Sequence, residues 1–509
     1  MNPALQRGHA ALQARNVMEA IQWFERALEE HPDDAQAMSW LGQTLCSVGR
    51  RAQGVEYLRG SGRRLLEKAR QSGDIGPVLE IAQQMQQWGD FPGAHDLLGP
   101  AAALKGTEFR VFQMLAVALS QLNRTAEALE AGRRAHAIAP ANVMMQVLLA
   151  SLEADAGLDE DARGRLERIL AVPPPAREAF RAHKELARVL DRLKAYDGVF
   201  AHLHAAGRLS GALPEYAQQN RALLPDMIRA NTAGFDRDLM GRWSDTAFPQ
   251  DLPPPVFLVG FFRSGTTLAQ EVLGAHPQVR VADEADFVWA MQRELHRMVG
   301  GGGSTADKLR TLDHMGILHL RTFYWNRVRD RLGDAVGART LVDKFTLNTL
   351  DVGLINTVFP DAKLVFVLRD PRDVCLSCFM QLMVASPATA HLLSWQGTTS
   401  FYATVMAWWQ HIKPQLTMDV IEFRYEDAVG QFEATFQRVF EGLGLGWDAS
   451  VKDFHEHAAK KYIATPSRTQ VAKPLYASSV ARWRHYEAEF AAVAGTLEPF
   501  IEAFGYEAF

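Results

Sequence analysis

Residues 256–267 read VFLVGFFRSGTT, and residues 363–380 read KLVFVLRDPRDVCLSCFM. Each segment begins with a short apolar run, as expected for a strand that is buried on both faces of a parallel sheet. Each then passes through a short loop into a helical pattern. Together they predict an α/β domain in the C-terminal half of the chain.

The first loop has the glycine spacing of a phosphate-binding P-loop, from Gly260 to Gly265, but Thr266 stands where a nucleotide triphosphatase carries lysine. A glycine loop that opens a helix presents backbone N–H groups and the positive end of the helix dipole to an anion. Arg263 can supply the missing positive charge. The loop therefore predicts an anion-binding site.

The second segment offers another anion site. Arg369 ends the apolar run, and Ser377 follows it eight residues later on the predicted helix. Both side chains can face one anion, and a guanidinium group gives bidentate charge-assisted hydrogen bonds. This pair suits a phosphate monoester.

The two segments resemble the sulfotransferases that use 3′-phosphoadenosine-5′-phosphosulfate (PAPS), and the resemblance extends from about Pro253 to the last residue. It implies that the first loop holds the 5′-phosphosulfate, that the second segment holds the 3′-phosphate, and that no metal is needed. The residues implied at the 5′ end are Arg263, Ser264, Gly265, Thr266 and Thr267, and those implied at the 3′ end are Arg369 and Ser377.

The stretch GAHPQVRVADEADF, residues 274–287, is similar to the tyrosylprotein sulfotransferase branch and to bacterial sulfotransferases with tetratricopeptide repeats. This similarity implies that Glu284 is the catalytic base. A positioned carboxylate that removes the acceptor's proton accelerates such a reaction by roughly 10²–10⁴-fold. Alternatively, Asp283 and Glu284 are a surface or helix-capping pair, and His276 is the other candidate base.

The resemblance also implies roles for residues nearer the C-terminus. Lys344 would stabilise the leaving phosphate, although a salt bridge to Asp343 is the alternative. Ser467 would assist Lys344 in the transition state. The remaining implied nucleotide contacts are Tyr425, Gln470, Lys473, Tyr476 and Arg482.

Three departures from the branch bear on its substrate and donor. Residues 285–287 are Ala-Asp-Phe where the protein-tyrosine enzymes have arginines, so an acidic peptide acceptor is not supported. Gln381 replaces a further 3′-phosphate arginine, and Phe262 replaces a proline. The acceptor hydroxyl is therefore left open among peptide, sugar and small molecule.

Residues 1–210 show helical periodicity with a repeat of 34 residues. The first unit places Gly8, Ala20, Phe24, Ala27 and Pro32 at the positions of small, aromatic and terminating residues. This pattern resembles the tetratricopeptide repeat (TPR), which stacks helix pairs into a solenoid. Such a region binds a peptide or protein, or it serves as a spacer or a dimerisation arm.

The predicted fold is an α-helical TPR solenoid followed by an α/β P-loop-type sulfotransferase domain with a mostly parallel five-stranded sheet. The domain boundaries are a repeat region at 1–210, a helical linker at 211–252 and the sulfotransferase domain at 253–509. The strands are expected near 256–260, 279–282, 340–343, 364–368 and 420–423. Ligand is expected at their carboxyl ends.

Composition restricts the remaining function classes. The net charge of −5 gives no general attraction for nucleic acid or an anionic membrane. The sequence contains neither a secretory signal pattern nor a long apolar segment, and its three cysteines suit a reducing cytoplasm. Cys375 and Cys378 form a CxxC without a second ligand pair, so they are interpreted as small helix residues.

Two other functions remain possible from the sequence. A nucleotide kinase would use Asp343, at the end of an apolar run, to bind magnesium. The missing P-loop lysine argues against it. A scaffold would combine binding repeats with an inactive sulfotransferase-like domain, but Arg263, Glu284, Lys344 and Arg369 are all present.

Overall fold

The computed structural model describes residues 2–104, 108–249, 251–333, 336, 339–459 and 479–509, and for residues 457–459 it describes the backbone only. The described chain divides into two compact units, Met1–Pro174 and Pro175–Phe509. None of the described helices is both long and apolar enough to cross a bilayer.

The first unit is entirely helical in its described part. Its helices are α1 Pro3–Gln13, α2 Val17–Glu30, α3 Ala35–Ser47, α4 Arg51–Ser72, α5 Gly76–Gln87, α6 Phe91–Ala101, α7 Phe109–Gln121, α8 Thr125–Ile138, α9 Val143–Asp155 and α10 Asp159–Ala171. The turn that joins the two helices of each pair contains a residue with left-handed backbone. These residues fall into two groups, Arg15 and Gly49 in the first and Gly89, Asn123 and Gly157 in the second. Within each group, neighbouring members are 34 residues apart, which is the repeat length expected from the sequence.

Small residues let the helices of the first unit approach closely. A Cβ atom on Gly8 would lie 2.3 Å from Cε1 of Phe24, and one on Gly42 would lie 2.8 Å from the carbonyl oxygen of Gly54. Ala20 and Ala27 are fully buried beside Phe24. The residues that indicated a repeat in the sequence therefore form the packed interior of these helices.

The second unit begins with helices that precede the sheet. They are α11 Ala176–Arg192, α12 Val199–Ser210, α13 Pro214–Ala217, α14 Leu223–Gly234 and α15 Arg237–Gly241. The turn between α11 and α12 contains another left-handed residue, Lys194, so it shares this backbone feature with the turns of the first unit. The two compact units are divided between residues 174 and 175. The boundaries expected from the sequence, with a linker at 211–252 and a sulfotransferase domain from 253, stay a prediction.

The sheet formed by the described residues has five strands, all paired in parallel. They are β1 Val256–Gly260, β2 Val279–Asp283, β3 Thr340–Lys344, β4 Lys363–Leu368 and β5 Asp419–Arg424, in the order β2-β3-β1-β4-β5. The prediction of a helical region followed by an α/β domain with a mostly parallel five-stranded sheet is confirmed. Because every strand runs the same way, their carboxyl ends meet at one edge.

Helices connect and cover these strands. They are α16 Thr266–Gly274, α17 Phe287–Val299, α18 Thr305–Thr311, α19 His314–Leu332, α20 Val352–Val358, α21 Pro371–Met380, α22 Trp395–Ile412, α23 Tyr425–Gly430, α24 Phe432–Leu443, α25 Phe454–Ala459, α26 Glu487–Phe490 and α27 Ala494–Ala503. Val256, Leu258 and Val365 pack with Val272 of α16 and Phe440 of α24 in one apolar cluster. This core fixes the strand ends that carry the site.

Candidate active site

The first loop is held in a conformation that requires glycine. Gly265, between β1 and α16, has a φ of +106°, and a Cβ atom there would lie 2.6 Å from Cδ2 of Tyr425. Arg263 also adopts a left-handed φ, of +63°. The loop therefore delivers the N-terminus of α16 directly beside Tyr425, which begins α23 after β5.

Two threonines that the sequence analysis missed hold this loop from behind. The N–H of Gly260 donates to Thr349 Oγ1 at 3.1 Å, and that hydroxyl lies 2.7 Å from the Gly260 carbonyl oxygen. The hydroxyls of Thr266 and Thr346 lie 3.1 Å apart. The signal in the sequence was the pair of threonines in TLNT, which begins three residues after the end of the predicted third strand.

The second segment is built from side-chain hydrogen bonds. Asp370 caps α21 by accepting the N–H of Arg372 at 2.9 Å, and it also accepts two bonds from that residue's guanidinium group. The N–H of Asp370 donates to Glu426 Oε1 at 3.0 Å. These bonds fix the turn that follows Arg369 and hence the direction of α21.

The two segments meet at the edge of the sheet. Arg263 Nε donates to Ser377 Oγ at 3.0 Å, and Arg369 Nη1 donates to the Arg263 carbonyl oxygen at 2.9 Å. The Arg369 guanidinium also lies 4.9 Å from the ring centre of Tyr425. Four residues predicted to bind the nucleotide are therefore connected by direct contacts near the carboxyl ends of β1, β4 and β5. They are Arg263, Arg369, Ser377 and Tyr425.

Two polar atoms in this cluster lack a partner within the described part of the chain. They are Ser264 Oγ and Arg369 Nε, and both are buried. Buried polar atoms in proteins are nearly always hydrogen-bonded. Both are able to donate, so the cluster fits a ligand that offers anionic acceptors, as a phosphate does.

The candidate base lies at the neighbouring strand ends. Glu284 follows β2 with a φ of +47°, and its N–H donates to the Lys344 carbonyl oxygen at 2.9 Å. The Lys344 side chain is fully buried and forms an ion pair with Glu284 and a 3.5 Å contact with Asp283 Oδ1. Both carboxylates remain partly exposed. The predicted base, Glu284, is therefore ion-paired with Lys344, the residue predicted to stabilise the leaving phosphate.

Asp343, the alternative salt-bridge partner expected for Lys344, does not pair with it. Asp343 instead accepts a hydrogen bond from the Tyr324 hydroxyl at 2.9 Å. Burial raises the pKa of Asp343 to about 7. Adjacent residues of a strand point to opposite faces, so Asp343 and Lys344 have different surroundings.

His276 is occupied by the backbone. Its Nε2 lies 3.0 Å from the Gly446 carbonyl oxygen, and its Nδ1 accepts the N–H of Gln278 at 3.2 Å. These contacts explain its place in the turn before β2. They leave Glu284 and Asp283 as the partly exposed candidate bases.

Arg482 has a partner that the sequence did not suggest. Its Nη2 lies 2.5 Å from Asp191 Oδ2, and its Nε lies 3.1 Å from Oδ1 of the same carboxylate. Its role as a nucleotide contact stays a prediction. Four other predicted site residues lie outside the described residues: Ser467, Gln470, Lys473 and Tyr476.

Cys375 and Cys378 lie buried within α21 as free thiols. Burial raises the pKa of both thiols, and Cys378 Sγ lies 3.4 Å from the Phe262 carbonyl oxygen.

Among the described residues, no group of three or more His, Cys, Asp or Glu is arranged to hold a metal ion. Gln381, which replaces an expected arginine, follows α21, and its side-chain amide lies 3.3 Å from the Leu382 carbonyl oxygen.

Residues 254–449 match the model of the Sulfotransferase family. An "Uncharacterized protein" of Aquifex aeolicus is 29% identical over 405 residues, covering 77% of this chain and 51% of that protein. Protein-tyrosine sulfotransferase A of Caenorhabditis elegans is 23% identical, covering 50% of this chain and 67% of that protein. The solved sulfotransferase domain from the Synechococcus PCC 7002 olefin synthase is 19% identical with a TM-score of 0.32, covering 47% of this chain and 89% of that domain.

This chain thus spans about half the length of its Aquifex relative. The sulfotransferase-like region, residues 254–449, includes both predicted anion-binding segments, Glu284, Lys344 and Tyr425. Arg482 and its partner Asp191 lie outside that region, on either side of it.

Proposed function

We propose that this chain is an enzyme that transfers a sulfuryl group from PAPS to an acceptor hydroxyl. The observation that carries the proposal is the contact of Arg263 with Ser377 and of Arg369 with the Arg263 backbone. It supports one site with two anion-binding parts, as a nucleotide with a 5′ and a 3′ phosphate group requires. The match of residues 254–449 to the Sulfotransferase family supports the same reaction class.

In this proposal, the loop at Arg263–Thr267 binds the 5′-phosphosulfate, while Arg369 and Ser377 bind the 3′-phosphate. The N-terminus of α16 and the buried Ser264 hydroxyl suit the first anion. The guanidinium of Arg369 suits the second because it can form charge-assisted hydrogen bonds. Tyr425, which packs against both segments, is proposed to contact the nucleotide. Gln470, Lys473, Tyr476 and Arg482 complete the proposed set.

The proposed reaction forms one S–O bond and breaks another. Glu284 accepts the proton of the acceptor hydroxyl, whose oxygen attacks sulfur as the bond to the donor's bridging oxygen breaks. The sulfuryl group leaves with the acceptor, and adenosine 3′,5′-bisphosphate is released. Lys344 and Ser467 stabilise the negative charge that develops on the departing phosphate. The ion pair between Lys344 and Glu284 supports this division of roles, because it holds a base and a cation together at one strand edge.

The kinase alternative is disfavoured by the surroundings of Asp343. Its carboxyl is fully buried, bonded to Tyr324, and has a pKa raised to about 7 by burial. A magnesium ligand has to be ionised and open to the ion. Thr266 also replaces the lysine of a triphosphatase loop.

The N-terminal helix pairs are proposed to be tetratricopeptide repeats that bind a peptide or protein or mediate a homodimer. Their 34-residue turn spacing and the close packing of Gly8 against Phe24 support the repeat assignment. The cytoplasm is the proposed location.

Isothermal titration calorimetry without added metal tests the donor. The proposal predicts binding of adenosine 3′,5′-bisphosphate in the absence of magnesium. Magnesium-dependent binding of ATP alone would support the kinase, and binding of neither nucleotide would support the scaffold. Incubation of a cell extract with the protein and heavy-sulfur PAPS, followed by mass spectrometry, then identifies the acceptor.

A further inference from the structure

Helix α11, Ala176–Arg192, lies outside the sulfotransferase-like region but contacts the second anion segment from behind. It does so through two charged residues that no part of the proposed mechanism uses. These are Lys184, near the middle of the helix, and Asp191, in its last turn. Both belong to the same compact unit as the sheet.

Lys184 is buried at the end of α21. The residue is 3% exposed, and its Nζ donates to the carbonyl oxygen of Phe379, two residues beyond Ser377. The ammonium also lies 5.2 Å from the Phe379 ring centre. No carboxylate of the described residues forms an ion pair with it, and burial lowers its pKa to about 7.

A buried ammonium without a carboxylate is costly, so packing alone does not explain why a lysine stands here. The last carbonyl groups of a helix have no partners within the helix and carry a partial negative charge. Phe379 belongs to that last turn of α21. Lys184 therefore fixes the C-terminal end of the helix that carries Ser377.

Asp191 contacts α21 indirectly, through the short helix Arg482–Tyr486. It accepts hydrogen bonds from Arg482 and, at 2.5 Å, from the Tyr486 hydroxyl. Between those two residues, the N–H of Trp483 donates to Asp373 Oδ1 at 2.9 Å. Asp191 thus holds the short helix Arg482–Tyr486 against the first turn of α21.

Ser479, three residues before this short helix, and Trp483 within it contact the arginines of the RDPRD turn. Arg369 Nη2 donates to the Ser479 carbonyl oxygen at 2.6 Å, and the Arg372 guanidinium lies 3.8 Å from the ring centre of Trp483. Through Lys184 and Asp191, α11 thus supports both ends of α21 and the arginine that precedes it.

We infer that Lys184 and Asp191 are positioning residues for the 3′-phosphate site, an inference that rests on the proposed function. They act through α21 and the 482–486 segment, while the loop at Arg263–Thr267 is supported by Thr346 and Thr349 instead. Loss of either residue therefore weakens recognition of the 3′-phosphate selectively.

The test compares two nucleotides that differ only in that phosphate, adenosine 3′,5′-bisphosphate and adenosine 5′-monophosphate. Calorimetry is carried out on the full chain and on Lys184→Met, which keeps an unbranched side chain of similar size. The inference predicts an affinity for the bisphosphate about tenfold lower, as expected when a displaced α21 loses about one charge-assisted hydrogen bond to the 3′-phosphate, with the affinity for the monophosphate unchanged. Lys68→Met, which makes the same substitution at an exposed lysine of α4, is the matched control and should behave as wild type.

Asp191→Asn provides a second arm that keeps an acceptor oxygen and should show the same selective loss. If Lys184→Met fails to fold, this variant decides. Equal weakening of both nucleotides, or unchanged affinity for the bisphosphate, would overturn the inference. Failure of the wild-type chain to bind either nucleotide would instead overturn the proposed function.

Discussion

The two proposed anion-binding segments have similar strand-loop-helix layouts but are held in shape by different means. The first is shaped by its backbone, through the left-handed Gly265 and the threonines behind Gly260 and Thr266. The second is shaped by charged side chains, above all Arg369, Arg372 and Asp373. The first should therefore be sensitive to added bulk, and the second to lost charge.

The proposed base, Glu284, lies outside both segments. Its replacement should have the largest effect on turnover, because the base takes part in the chemical step itself. Glu284→Ala is expected to lower kcat by roughly 10²–10⁴-fold, because the acceptor hydroxyl loses its proton acceptor. The affinity for adenosine 3′,5′-bisphosphate should remain. Steady-state kinetics and calorimetry on the same preparation check both values. Retained turnover would move the base to Asp283, the other partly exposed carboxylate.

The charge dependence of the second segment is tested by Arg369→Met. We expect the affinity for adenosine 3′,5′-bisphosphate to fall about 100-fold, since a charge-assisted hydrogen bond contributes about 1.5–3 kcal/mol and Arg369 offers more than one donor. The affinity for adenosine 5′-monophosphate should change far less. Arg438→Met, at an exposed position of α24, is the control. Parallel loss of both affinities would contradict the division between the segments.

The steric constraint on the first segment is tested by Gly265→Ala. The new Cβ would meet Tyr425 at 2.6 Å in a backbone conformation that disfavours side chains. We expect the free energy of unfolding to fall by about 1–3 kcal/mol and both nucleotides to bind more weakly. Urea denaturation and calorimetry measure these effects. Gly430→Ala is the control, because a Cβ there meets nothing within 4 Å.

The smallest expected effect is the contribution of one carboxyl group of the second segment to the pH dependence of stability. Burial raises the pKa of Asp373 to about 6 from an ordinary value of 3.8. Its protonated form therefore stabilises the fold below about pH 4, and this contribution is lost as the pH rises through 6. Asp373→Asn should remove that part of the pH dependence while keeping an acceptor for the Trp483 N–H. Urea denaturation between pH 4 and 7 checks it, and an unchanged profile would contradict this assignment.

The sequence predicted the sheet well because its strands are short apolar runs with clear ends. Val256–Gly260 matches its prediction, and β4 begins one residue earlier than expected. The convergence of Arg263, Arg369 and Tyr425 also followed, since carboxyl ends of parallel strands share one edge.

The partners of individual charges were harder to predict. Lys344 lies beside Asp343 in sequence, yet it pairs with Asp283 in the strand register, and this register brings it to Glu284. Arg482 pairs with Asp191, which is 291 residues earlier in the chain. Both contacts depend on long-range packing that no local pattern specifies.

The two-part nucleotide site can be tested by a crystal structure of the complex with adenosine 3′,5′-bisphosphate. One nucleotide is expected to bind across the edge of the sheet. Its 5′-phosphate should lie at the loop Arg263–Thr267, and its 3′-phosphate should lie within hydrogen-bonding distance of Arg369 and Ser377. A nucleotide that occupies only one segment, or that binds away from the carboxyl ends of β1 and β4, would contradict it.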